Sequence, residues 1–136
     1  MTYTFVVEGK LSGANEVISA INRDRYAGSR LKAQETRRCA LRAILCSVPK
    51  FTKPVNVHFK WFEPNKRRDL DNIRYGAKFI LDGLRECGKL PNDGWAWVVG
   101  MSDEWSVDKI YPRVEVTLTE VTCQIDSYIP STPKDA

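Results

Sequence analysis

Five apolar residues restrict this chain more than any other feature. Ile73, Ala77, Ile80, Leu81 and Leu84 follow an i, i+4, i+7, i+8, i+11 spacing, which draws one apolar stripe along a helix. Asp71, Arg74, Lys78, Asp82 and Arg85 fall on the opposite side, because steps of three, four and seven return to one face. Such a helix has to bury its stripe against another layer. The spacing predicts a helix over Ile73–Cys87, closed by Gly88 in a left-handed cap.

The partner layer is visible upstream. Pro54–Phe62 alternates Val55, Val57, Phe59 and Trp61 with Asn56, His58 and Lys60, the pattern of a half-buried strand. Tyr3–Glu8, rich in β-branched and aromatic residues, reads as a short strand, and Gly9–Gly13 as a loop. Asn15 is placed to cap a short helix through Ile21. Arg23–Arg30 reads as a polar connection, and Leu31–Ser47 as a helix with a basic outer face that Val48-Pro49 stops. Glu63–Arg68 is a polar loop. Asn92-Asp93-Gly94 signals a turn, Trp95–Met101 a strand, Ser102–Asp108 a polar run, and Pro112–Val121 a last alternating strand. The order β-α-α-β-α-β-β predicts an α/β (α+β) domain over residues 1–125, a mixed sheet of about four strands with helices packed on it. Residues 126–136, with two prolines, read as a flexible tail.

Composition closes off several classes. With 136 residues, 43% hydrophobic and 28% charged, the chain can fill one core. No apolar run approaches the roughly 18–20 residues that span a bilayer, so no membrane partner is expected. The start MTYTFVVEGK lacks the basic and apolar regions of a secretory signal, which favours the cytoplasm. Cys39, Cys46, Cys87 and Cys123 form no CxxC pair and read as free thiols rather than a zinc site. The only histidine, His58, reads as a structural or surface group.

Charge is unevenly spread. Residues 23–78 hold fifteen Lys/Arg against five acids, whereas residues 79–136 hold five against ten. A one-sided basic field suits a polyanionic partner held through salt-dependent phosphate contacts. The basic segment runs straight into Asp69 and Asp71, one residue apart, with Asp93 in a turn further on. Three carboxylates meeting at one point repel one another unless a cation joins them. An all-oxygen site suits Mg²⁺ or Mn²⁺, which keep waters and take substrate phosphates as further ligands. Asp71 alone reads first as a helix cap, and Asp93 alone as an ordinary turn residue. The combination points to phosphodiester hydrolysis, with Lys78 offsetting transition-state charge and Arg74 clamping a phosphate.

Arg68-Asp69-Leu70-Asp71-Asn72-Ile73, Lys78-Phe79-Ile80-Leu81-Asp82-Gly83-Leu84, Gly88 and Asn92-Asp93-Gly94-Trp95 together resemble the RusA-type Holliday-junction resolvases, phage-borne members especially. The resemblance implies a small homodimeric, Mg²⁺-dependent endonuclease that nicks four-way DNA junctions symmetrically during recombination and repair, in a bacterial cytoplasm. It implies metal binding by Asp69, Asp71 and Asp93. It also implies a catalytic lysine about one turn after the second acid, where this chain has Arg74 and Tyr75; Lys78 is assigned the role, with Arg74 as the alternative. Arg23, Arg25, Arg30, Lys32, Arg67, Arg68 and Arg74 are the expected DNA contacts. Two other functions stay open: a metal-dependent nuclease for other branched or flapped DNA, and a phage DNA-binding protein without catalysis.

Overall fold

Strand pairing decides where every helix goes. In a computed structural model that describes residues 1–121, strands β1 (Thr2–Glu8), β2 (Val55–Glu63), β3 (Val98–Val107) and β4 (Arg113–Glu120) form one mixed sheet in the order β1-β4-β2-β3. β4 is antiparallel to both neighbours, and β2 and β3 are parallel. A parallel pair needs a crossover, supplied here by α3 (Leu70–Arg74) and α4 (Ala77–Glu86). Helices α1 (Ala14–Arg23) and α2 (Ala27–Leu45) join β1 to β2. The inward residues of β2, from Val55 to Trp61, meet Phe5 and Val7 of β1, Val114, Val116 and Leu118 of β4, and Val17, Ala43, Ile80 and Leu84 of the helices in one core. Each valine, leucine, isoleucine or phenylalanine among them contributes about 1.5–3 kcal/mol on burial. No helix among the described residues is long and apolar enough to cross a membrane.

This is the expected α+β domain with a four-stranded mixed sheet, and four details differ. The central helix is two helices. Around Tyr75-Gly76 the backbone closes i→i+3 bonds, from Gly76 N–H to Ile73 O, Lys78 N–H to Tyr75 O and Phe79 N–H to Gly76 O, each 3.1 Å. Glycine is a poor helix former, and this one is buried against Leu11. The stripe survives the joint: Ile73, Ala77, Ile80, Leu81 and Leu84 are all buried, and Gly88 has φ +80° as a left-handed cap requires.

Helix α1 starts one residue before Asn15, on a Gly13 cap whose N–H is bonded by Glu16 Oε1 at 2.8 Å. Helix α2 takes up the second half of the Arg23–Arg30 connection and stops at Leu45, ahead of Ser47 (φ 57°) and Pro49. Trp95–Trp97 lie in a turn, and the polar run Ser102–Asp108 is mostly strand. That run pairs with β2 although polar, because its side chains find partners on both faces. Ser102 Oγ and Glu104 Oε2 bond His58 Nδ1 and Nε2 at 2.6 and 2.9 Å outside, while Asp103 and Trp105 turn inward. Cys39 is buried, and Cys46 and Cys87 are half-buried, all free. Residues 126–136 and Cys123 lie outside the described residues.

Candidate functional site

Strand β2 delivers the chain to the site. Past Glu63 a six-residue connection reaches Asp69, which holds the extended N-cap position of α3 (φ −70°, ψ 155°). The Asp69 backbone carbonyl accepts the Ile73 N–H at 3.1 Å, but its carboxylate caps nothing. Asp71 sits inside the first turn, not at the cap, and its Oδ1 accepts the Asn72 N–H at 2.9 Å. Both carboxylates are exposed, and neither has an ion-pair partner among the described residues. Helix capping therefore does not explain the pair.

The surroundings of the two acids are tied together by partly buried hydrogen bonds. Asn72 is buried, and its Oδ1 accepts the Asn15 N–H at 2.8 Å, fastening α3 to the first turn of α1. Gly13 permits the approach, since a Cβ there would stand 2.5 Å from Asn72 Oδ1 and 2.6 Å from its carbonyl oxygen. Arg68 is bidentate on Glu63, Nε to Oε1 at 3.1 Å and Nη2 to Oε2 at 2.8 Å, with both side chains about 10% exposed. Its Nη1 donates to Leu11 O at 3.0 Å. The Arg68 guanidinium is thus spent inside the protein and does not reach out as the expected phosphate contact does. In the sequence Glu63 reads as loop and Asn72 only as part of the Arg68–Ile73 motif, although Glu63 continues the inward alternation of β2.

Other expected residues stand elsewhere. The crossover runs back down the sheet, so Asp93 precedes β3 at the end where β2 begins, and pairs with Arg85 at 4.0 Å. Asp69 lies at the opposite end, where β2 finishes, and β2 itself is roughly 26 Å long at about 3.3 Å per strand residue. Among the described residues no three His, Cys, Asp or Glu side chains gather to hold a metal ion. The acid that does return to the level of α3 is Asp103, ten residues after Asp93, bonded by Arg74 Nε at 2.9 Å and Trp61 Nε1 at 2.8 Å. Lys78 pairs with Asp82 at 3.3 Å. Asp71 and Lys78, seven residues apart across the joint, are both exposed, on the side away from the stripe that stays buried through it.

The basic residues frame two grooves. One, of about 560 Å³, is walled by Lys66, Asp69 and Leu70 on one side and by Trp105, Ser106 and Val107 on the other. A second, of about 580 Å³, lies between α1 and α2 and carries Ser12, Glu16, Arg23, Arg30 and Gln34. Glu16 Oε1, 3.8 Å from Arg68 Nη1, stands where the two approach each other. Arg67 is exposed, and its side chain has no partner among the described residues. Arg30 reaches Asp24 at 3.4 Å, and the Tyr26 backbone N–H, then Arg30, hold that carboxyl below its usual range. Arg25 lies over the Tyr26 ring at 5.3 Å, and Lys32 is half-buried.

No protein-family model matches this sequence, and no curated protein matches it significantly.

Proposed function

We propose that this chain is a divalent-metal-dependent endonuclease for branched DNA, of the RusA type that Arg68–Trp95 resembles, working as a homodimer on four-way junctions. One observation carries the reading. Asp82, Asp93, Asp103 and Glu63 are each answered by an arginine or lysine, whereas Asp69 and Asp71 stand exposed and unanswered in a basic neighbourhood. Two bare carboxylates beside a DNA-binding surface repel phosphate unless a cation intervenes.

Mg²⁺, or Mn²⁺ in its place, fits such a donor set, since it needs only one or two carboxylates and completes its sphere with water and substrate phosphate. Such an ion supplies charge neutralisation at the phosphodiester and a more acidic water for attack. Asp69 and Asp71 are the residues that would hold it. Exposed Lys66 and Arg67 would seat the flanking phosphates, with Arg23, Arg25, Arg30 and Lys32 tracking a DNA arm. Lys78 keeps the role of catalytic cation, with Arg74, on α3 itself, as the alternative. Asp93 is too distant to join Asp69 and Asp71 of its own chain. A twofold homodimer could bring it there from a second copy, and a junction is itself twofold.

Nicking of a mobile four-way junction, a flap and a linear duplex, each with Mg²⁺ and with EDTA, tests the proposal. Symmetric cuts in the junction alone, lost in EDTA, support it. Equal cutting of all three would make the chain a general nuclease, and binding without cleavage in any metal would reduce it to a DNA-binding protein.

A further inference from the structure

Phosphate binding does not account for the lining of the groove beside Asp69. Lys66, Asp69, Asn65, Ser106 and the Arg68–Glu63 pair line part of it, but Trp61, Trp105, Leu70, Ile73 and Val107 make the rest of its wall apolar. Trp61 and Trp105 stack with centroids 6.0 Å apart and planes 15° from parallel. Trp61 is buried, and its indole N–H is fixed on Asp103 Oδ1 at 2.8 Å, so the ring beneath Trp105 is held in place. Opposite stands Leu70, 52% exposed between the two acids. A sugar–phosphate backbone gains little from apolar walls, whereas a nucleobase offers two π-faces to an aromatic surface in any sequence.

Resting on the function proposed above, we infer that this groove receives one unpaired nucleobase of the DNA, adjoining the phosphate at Asp69 and Asp71. Its volume of about 560 Å³ falls within the range of small-molecule sites, roughly 300–1,000 Å³. Lys66 in its wall supplies the charge that the attached phosphate requires. A base in continuous duplex has to be unstacked and unpaired to enter, and this costs least where the helix is already interrupted. Preference for branched DNA then follows from the groove, not from the acids, and no reading of base sequence is needed.

A thermodynamic cycle tests this by junction binding in Ca²⁺, which avoids turnover. The protein is wild type, Trp105→Leu or Trp105→Phe, and the junction is intact or abasic at each branch-point nucleotide in turn. Wild type is expected to lose about tenfold in affinity at one abasic position, within the range for a stacked base. Trp105→Leu should bind intact and abasic junctions alike, and Trp105→Phe should restore the preference. Near-UV circular dichroism and melting curves show that each variant is folded, and Leu70→Ala, at an exposed position, should reduce the preference without affecting folding. Equal wild-type affinity for every junction, or an undiminished preference in folded Trp105→Leu, overturns the base site and leaves the nuclease proposal standing. Failure of wild type to bind any branched DNA overturns both.

Discussion

Arg68→Ala separates a folding role from a DNA-contact role in one variant. Arg68 and Glu63 form a bidentate pair with side chains about 10% exposed, and Arg68 also closes on Leu11 O. Removing one partner of a buried pair leaves the other charge unpaired and costs about 3–5 kcal/mol. Against a total stability of about 5–15 kcal/mol for a domain, that is a large share. With a urea slope of about 1–3 kcal/mol per M, the unfolding midpoint should fall by roughly 2 M. The double variant Glu63→Gln/Arg68→Met removes both charges and should recover much of the loss. The assay is urea unfolding followed by far-UV circular dichroism, without DNA. A loss below about 1 kcal/mol, the range of exposed pairs, together with a large drop in DNA affinity, would show that Arg68 is a phosphate contact and that the buried-pair reasoning is wrong.

Gly13→Ala should destabilise by about 1–3 kcal/mol, as overpacking does, because the added Cβ meets Asn72 Oδ1 and O; an unchanged melting temperature would refute the close approach. Burial pushes the Cys39 thiol up to about 12. Its neutral form is therefore favoured in the fold, and its share of stability is complete below the ordinary value of 9.0 and lost as pH rises from there through about 12. Wild type should lose more stability over that window than Cys39→Ala does, and native Cys39 should resist alkylation at pH 8 while Cys46 and Cys87 react faster. The backbone N–H of Tyr111, then Arg113, keep the Asp108 carboxyl below its ordinary 3.8, so its support of the β3–β4 turn should persist until pH falls below that value; NMR titration of its carboxyl carbon reads this directly.

The parts legible in sequence were those written by burial periodicity. The Val55–Trp61 alternation and the Ile73–Leu84 stripe placed β2 and the crossover correctly, because a buried face has to repeat with the period of its element. β3 was half missed. It is an edge strand whose polar side chains bond His58 on one face and Trp61 and Arg74 on the other, so its pattern looks like a loop. That miss carried over to the site. The length of β3 decides which acid returns to the level of α3, and a ten-residue strand brings Asp103 to Arg74 in place of Asp93. The joint at Tyr75-Gly76 was marked by glycine but hidden by a stripe that continues through it. Asp69 and Asp71 were recognisable as a pair at a helix start, whereas the cap falls on Asp69, two residues before the expected Asp71, which puts Asp71 in the first turn. The burial of Arg68 could have been anticipated, since one more step of the β2 alternation turns Glu63 inward, where it needs a cation.

The central claim is that the unanswered acids Asp69 and Asp71 are catalytic. Asp71→Asn, Asp69→Asn and, as a control, the arginine-paired Asp108→Asn can be compared for junction nicking in Mg²⁺ and for junction binding in the same buffer. The first two should lose nicking by at least about a hundredfold, on the scale of a lost electrostatic stabiliser. They should bind DNA as well as or better than wild type, while Asp108→Asn keeps its activity. Nicking that survives in folded Asp69→Asn and Asp71→Asn would contradict the account and move the chemistry away from α3.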